Sequence, residues 1–234
     1  MAFSRQQIIA LYRQRAGAYD LTANLYYLLG FREQAYRRQA VACLNLAPGD
    51  TVIEIGCGTG LNFGLLIKKI GPNGRLIGVD LSESMLARAQ NRCQRYGWSN
   101  VELVRQDAEE FCFPKGVNAV LSTFALTLVP GFDQVVARAA AALEPRGRLA
   151  VLDLKMPPSF PNPLVWLFLR ITRPFGVTLD LAARHPWESL DHWLYMVFYR
   201  EYYFGLAYIA AGEKKENGDS VSEAGGRSQR KADH

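Results

Sequence analysis

The chain has 234 residues, 49% of them hydrophobic and 21% charged, with a formal net charge of +5. That length suits one α/β domain with a single substantial core. The longest apolar run of the C-terminal half, residues 164–169, is cut by Arg170, Arg173 and Pro174, well short of the roughly 20 apolar residues a membrane-spanning helix needs.

Ser4 and Gln7 have capping-box spacing, and IIALYRQRAGAY carries apolar positions at helical intervals, so a first helix is expected to about Ala16. The opening MAFSRQQII lacks the apolar core and cleavage site of a secretion signal, and the expected location is the cytoplasm. The charges from Glu213 to His234 balance, so the positive excess lies upstream. In the first 40 residues Arg5, Arg13, Arg15, Arg32, Arg37 and Arg38 face only Asp20 and Glu33. This basic arm reads either as a solvated helix surface or as an attraction for an anionic substrate, a membrane surface or nucleic acid.

A second helix is expected over residues 32–46, closed by Pro48, Gly49 and Asp50. From there the hydrophobic period changes. Short β-branched runs at 51–55, 75–79, 101–105, 117–122 and 148–154 alternate with helical stretches at 61–70, 82–96 and 132–143. Repeated strand, helix, strand predicts an α/β fold with a parallel sheet covered by helices on both faces. After a loop at PPSFPNP, residues 164–175 and 187–196 read as helices, and FYREYYFGLAYIAAGE reads as two strands turning near Gly205. That antiparallel hairpin completes a seven-stranded sheet at its edge. The stretch 213–234, with no aromatic residue, is expected to be a disordered tail. Cys43, Cys57, Cys93 and Cys112 form no C-x-x-C pair and read as reduced packing thiols rather than a zinc site or disulfide framework.

VIEIGCGTGLNF, residues 52–63, places Gly56, Gly58 and Gly60 at the carboxyl end of the first strand, where backbone N–H groups approach a ligand with no Cβ in the way. Asp80 ends the second strand twenty residues after Gly60, where a carboxylate can accept from both hydroxyls of a ribose. Asp107 and Ala108 follow the third strand, where an acidic side chain and adjacent backbone can read an adenine amino group, and Ser122 to Phe124 end the fourth. The loops converge on one crevice, and the ligand they describe is an adenosine. A nicotinamide dinucleotide requires G-x-G-x-x-G, whereas this spacing is one residue short, and no Tyr-x-x-x-Lys hydride-transfer pair is present. Glu54, two residues before Gly56, suits a ligand with a positive amino group and no phosphate.

VIEIGCGTG (52–60), GVDLSESML (78–86), QDA (106–108), STFALTLVP (122–130) and LEPRGR (143–148) together resemble class I S-adenosylmethionine-dependent methyltransferases over about residues 45–154. YRQRAGAYD (12–20) is similar to the entry segment of the ubiquinone/menaquinone C-methyltransferases and the bacterial phosphatidylethanolamine N-methyltransferases. The resemblance implies a Rossmann-like domain over 1–212 and S-adenosyl-L-methionine as cofactor. It implies contact with the methionine end by Glu54 and the backbone of Gly56, Cys57, Gly58 and Gly60. Asp80 would hold the ribose, Leu81 and Met85 would flank the adenine, Asp107 with Ala108 would read its edge, and Ser122 would close the crevice.

Tyr12 and Tyr19 could fold over a bound sulfonium, Tyr19 the better placed by its motif position. His185, in DLAARHPWESLDHW, is the candidate base against a surface or capping role. No metal is expected, because His185 and His192 are seven apart with Pro186 between them. The aromatic-rich segment from about 160 to 203, beside the basic arm, suits a small-molecule or lipid-like acceptor, quinone-like or amine-headed, with peripheral membrane contact. Two other readings stand beside it. A nucleic-acid methyltransferase is disfavoured because Ser122, Thr123, Phe124 and Ala125 stand where base methylators carry N/D-P-P-Y/F/W. The other is a protein that binds S-adenosylmethionine without catalysis.

Overall fold

The computed structural model describes residues 32–156 and 184–215. Its elements in chain order are α1 (Glu33–Cys43), β1 (Thr51–Ile55), α2 (Phe63–Ile70), β2 (Arg75–Asp80), α3 (Glu83–Tyr96), β3 (Val101–Arg105), β4 (Val117–Thr123), a 3-10 turn (Leu126–Leu128), α4 (Phe132–Ala142), β5 (Leu143–Leu154), α5 (Pro186–Trp193), β6 (Leu194–Tyr202) and β7 (Ala207–Lys214). The expected helices near the N-terminus and at 164–175, the residues Tyr12 and Tyr19, and the tail beyond 215 lie outside the described residues.

The strands form one seven-stranded sheet in the order β3-β2-β1-β4-β5-β7-β6. β1 pairs in parallel with β2 on one side and β4 on the other, so the chain reverses its winding between β1 and β4. That reversal opens a crevice above the carboxyl ends of these two strands. β7 runs antiparallel between β5 and β6, as the hairpin pattern predicts.

Helices cover both faces, because a parallel sheet is apolar on both sides and must be shielded twice. On one face Phe63, Leu66 and Ile70 of α2 and Leu86 and Ala89 of α3 pack with Val52, Leu76 and Leu121, and Ala40 and Val41 of α1 join them. On the other, Val135, Val136 and Ala139 of α4 and Leu190 of α5 pack on Ile53, Ile77 and Val120. Local signals place the helix ends. The Ser82 hydroxyl accepts from Met85 N–H to start α3, and Gly97 closes it in the left-handed conformation.

Three boundaries differ from the sequence pattern. The helix expected over 187–196 ends at Trp193, and β6 begins at Leu194, four residues before the expected strand. The reason is pairing: Leu194 lies opposite Lys214 and Met196 opposite Gly212, so the partner strand claims residues whose own preference is ambiguous. β5 begins at Leu143, because Leu143 pairs with Val117 before an irregularity that brings Arg148 opposite Ala119. β7 extends to Lys214, and Glu213 pairs with Arg148 at 2.8 Å, two residues past the sequence-based boundary at 212. Of the four cysteines, Cys43, Cys57 and Cys93 are buried as packing thiols should be, whereas Cys112 is exposed.

Candidate active site

The glycine loop after β1 owes its shape to backbone conformations that L side chains rarely adopt. Gly56, Gly58 and Gly60 all have positive φ, at +66°, +55° and +74°. A Cβ on Gly56 would lie 2.2 Å from Cβ of Ala125, and one on Gly60 would lie 2.7 Å from the Phe63 ring, so those two glycines let the loop close on its own protein. Gly58 is different: a Cβ there would meet nothing within 4 Å. Its backbone therefore faces open space at the crevice.

Asp80 ties the loop from below. Its Oδ2 accepts from Gly58 N–H at 2.8 Å and its Oδ1 from Ser82 N–H at 2.8 Å. Each oxygen keeps a further lone pair for a hydroxyl. Burial pushes the Asp80 carboxyl up, and the two backbone bonds oppose that. Cys57 turns its side chain into the core, where its Sγ would stand 3.0 Å from a Cβ on Gly78, so this residue can offer a ligand its backbone only.

Glu54 sits on β1 just beneath the loop and is 1% exposed. Its Oε1 accepts from Asn62 Nδ2 at 2.6 Å, while its Oε2 is buried with no hydrogen-bond partner. Burial pushes the carboxyl up to about 7, the nearby Asp80 charge adds to this, and the Asn62 bond and the Arg37 charge work against it. An orphaned carboxylate oxygen inside a protein is costly unless a cation or donor meets it.

Around Glu54 three side chains form a closed polar cluster that sequence reasoning did not identify. Arg37 of α1 is 3% exposed and donates from Nη1 to Asn62 Oδ1 at 3.2 Å and to Thr123 Oγ1 at 2.7 Å. Its Nε and Nη2 both meet Glu33 Oε1, at 2.8 and 2.7 Å, and its guanidinium lies over the Phe124 ring, 5.2 Å from the centroid. Asn62 Nδ2 also donates to Thr123 Oγ1 at 2.9 Å. Arg37 is therefore a buried structural cation, which corrects its place in the basic arm. A signal for it exists in the sequence: Arg37, Ala40, Val41 and Leu44 are the buried stripe of α1 and its C-cap, and an arginine stands where that stripe calls for an apolar residue. Asn62 likewise caps α2 by position but makes no side-chain cap bond, because its amide is committed to this cluster.

The remaining predicted residues distribute as follows. Ser122 lies opposite Ile55, so it falls on the face away from Glu54, buried with its Oγ unbonded; Thr123, one residue on, is the β4 hydroxyl beside Glu54. Leu81 is partly exposed and Met85 is buried under the start of α3. Asp107 Oδ1 accepts from Glu109 N–H at 2.8 Å, and Ala108 O accepts from Arg138 at 3.1 Å. His185 stands at the start of α5, its Nδ1 3.0 Å from Glu188 and its ring stacked on Trp187 at 4.7 Å. The preceding Arg184 donates to the Thr127 carbonyl at 2.7 Å, which ties the start of α5 to the turn after β4. Lys155 lies over Trp187 and pairs with Glu201 and the Tyr199 hydroxyl. Among the described residues no group of three His, Cys, Asp or Glu side chains could hold a metal, and no helix is long and apolar enough to cross a membrane.

These residues fit the cofactor that the motif resemblance implies. A bare buried carboxylate oxygen matches an amino-acid ammonium, and the space where a Gly58 Cβ would stand is open. Comparison with known proteins agrees. Residues 52–147 match the family described as "Methyltransferase domain". The chain is 33% identical over 194 residues to a demethylmenaquinone methyltransferase of Tropheryma whipplei, covering 80% of this chain and 77% of that protein. Solved structures of similar fold include a SAM-dependent methyltransferase from Aquifex aeolicus (TM-score 0.52, 19% identity, covering 72% of this chain and 84% of that one). They also include geranyl diphosphate C-methyltransferase from Streptomyces coelicolor A3(2) in complex with Mg2+, geranyl diphosphate and S-adenosyl-L-homocysteine (TM-score 0.63, 16% identity, covering 78% and 79%).

Proposed function

This chain belongs to the class I S-adenosylmethionine-dependent methyltransferases, and on that footing we propose that it methylates a ring carbon of a quinone-type acceptor bearing an apolar chain. The observation that carries the reading is the extent of the likeness to the demethylmenaquinone methyltransferase. Its 194 aligned residues exceed residues 52–147 of the domain match, so the resemblance includes parts of the chain outside the cofactor-binding core.

S-adenosylmethionine, when bound, supplies an electrophilic methyl group on a sulfonium. The chain's own residues hold and orient it. In this reading Glu54 Oε2 receives the ammonium, the Gly56 to Gly60 backbone lies along the methionine end, Asp80 accepts from the ribose, and Leu81, Met85, Asp107 and Ala108 border the adenine. Tyr19, outside the described residues, would cover the methyl-bearing end.

The acceptor side lies where the turn after β4 meets the start of α5. A ring carbon is a poor nucleophile until an oxygen on the ring loses its proton, so a base is required. His185 suits this role. Its Nδ1 lies 3.0 Å from Glu188, which orients the ring, and Arg184 fixes the segment against the Thr127 carbonyl. In this reading the imidazole would take the proton of a quinol hydroxyl, which would make the ring carbon beside it nucleophilic toward the methyl group that the cofactor would supply. The proton that the ring carbon loses on substitution would return to the ring oxygen, and the imidazolium would release its proton to solvent, which restores the base. A membrane-dissolved acceptor would bring the chain to a lipid surface through its basic arm, in which Arg37 has no part.

The test is incubation of the purified chain with deuteromethyl-labelled cofactor and separate quinol, phospholipid and RNA fractions, read by mass spectrometry. Label on a ring carbon in the quinol fraction is the expected result. Label confined to amine-headed lipids or to RNA overturns the acceptor assignment.

A further inference from the structure

We infer that Arg37 is a positioning residue for cofactor capture: its guanidinium fixes the Asn62 amide with the NH2 end toward Glu54, and thereby leaves Glu54 Oε2 as the oxygen that meets the cofactor's ammonium. The inference rests on the role given above to Glu54. Arginine has donors only, so the Asn62 atom it meets at 3.2 Å must be the carbonyl oxygen. The amide nitrogen then has one direction left, toward Glu54 Oε1 and Thr123 Oγ1, at 2.6 and 2.9 Å. Arg37 itself is pinned from behind by Glu33 and from the side by Phe124.

The charged and titratable groups around Glu54 come from three directions. Arg37 approaches from α1 and favours the carboxylate; Asp80 approaches from β2 and disfavours it. The Cys57 thiol in the loop is held neutral, its titration pushed well up by burial and by the Asp80 and Glu54 charges. Glu33 acts only through Arg37, which it neutralises in part. Without Arg37 the Asn62 amide is free to reverse, and a reversed amide presents its oxygen to Glu54, an arrangement that suits the protonated acid. Both changes make Glu54 hold its proton more tightly.

This gives the inference a pH signature that a merely structural role lacks. Each pH unit by which Glu54 holds its proton harder costs about tenfold in the affinity for a cation below the titration, and nothing above it. The probe is S-adenosylhomocysteine, which carries the same ammonium, titrated by calorimetry into wild type and Arg37→Met. The expected deficit of Arg37→Met is about tenfold larger near pH 6 than near pH 9. Titration of the ligand's own amino group is common to both proteins and cancels in the ratio.

In the Glu54→Gln background the same substitution should add no pH-dependent deficit. Should Arg37→Met lack a cooperative thermal transition, Arg37→Lys carries the test, with a smaller deficit that also closes toward high pH. A pH-independent deficit, no deficit, or a pH-dependent deficit that persists beside Glu54→Gln overturns the role of Arg37. If Glu54→Gln alone leaves binding intact, the fault lies in the assignment of Glu54 instead.

Discussion

Replacing Glu54 by Gln should stabilise the cofactor-free protein at alkaline pH while abolishing tight cofactor binding. Burial raises the Glu54 carboxyl from the usual 4.5 to about 7, a gap of about 2.5 pH units at about 1.36 kcal/mol each, or about 3 kcal/mol. The sign follows from proton binding. Between pH 4.5 and 7 the folded protein holds a proton that the unfolded chain has released, so stability falls as pH rises through that window and stays low above it. Glutamine does not titrate and escapes this loss. It keeps an acceptor for Asn62 but places an NH2 where Oε2 lacks a partner, an offset of about 1–3 kcal/mol that is the same at every pH. The decisive quantity is therefore a difference of differences, which also cancels the other titrating groups, among them the buried Asp153, raised to about 6. Urea unfolding of both proteins near pH 4.5 and pH 8.5, without cofactor, should show the variant gaining about 3 kcal/mol on wild type between the two conditions. Parallel pH profiles would refute the claim that Glu54 is buried at a cost.

Gly56→Ala should destabilise the fold by about 2–4 kcal/mol, because its Cβ would stand 2.2 Å from that of Ala125. Gly58→Ala, with open space at its Cβ, should cost only about 1–2 kcal/mol of positive-φ strain yet weaken cofactor binding sharply; thermal melts and calorimetry on both variants separate these effects, and normal binding by Gly58→Ala would remove that backbone from the ligand path. Asp80→Asn must point an NH2 at one of two backbone donors, Gly58 N–H or Ser82 N–H, and should lose about 1.5–3 kcal/mol of cofactor affinity. Unchanged affinity there would detach Asp80 from the site. Binding of S-adenosylhomocysteine at pH 7 should release roughly half a proton from Glu54, read as a dependence of the calorimetric heat on buffer ionisation, and that release should fade above about pH 8.5.

The strand and helix pattern from Thr51 to Leu154 is plain in the sequence because parallel strands buried on both faces read as unbroken β-branched runs, and the glycine loop stands out against them. What escaped depends on register. Ser122 and Thr123 are equivalent hydroxyls until the pairing of Ser122 with Ile55 decides which one shares a face with Glu54. The start of β6 escaped for the same reason: Leu194 to Met196 carry no preference strong enough to resist their partner strand. Arg37 escaped differently. A cluster of arginines in a basic segment suggests solvent, and only the helical stripe of Arg37, Ala40 and Val41 singles one of them out for burial.

That stripe makes a physical point about the site. A buried arginine paired with a glutamate is commonly no better for stability than apolar side chains of the same volume, so Leu or Met at position 37 would serve the α1 packing as well. The same holds for Glu54, whose burial carries a cost and whose Oε2 has no protein partner. Two unfavourable choices, at positions 37 and 54 of the chain, meet through one asparagine whose amide both of them fix. Either choice alone would be a defect of packing. Together they define a carboxyl oxygen that is held in place, buried and without a protein partner, where a ligand's cation would supply the missing one.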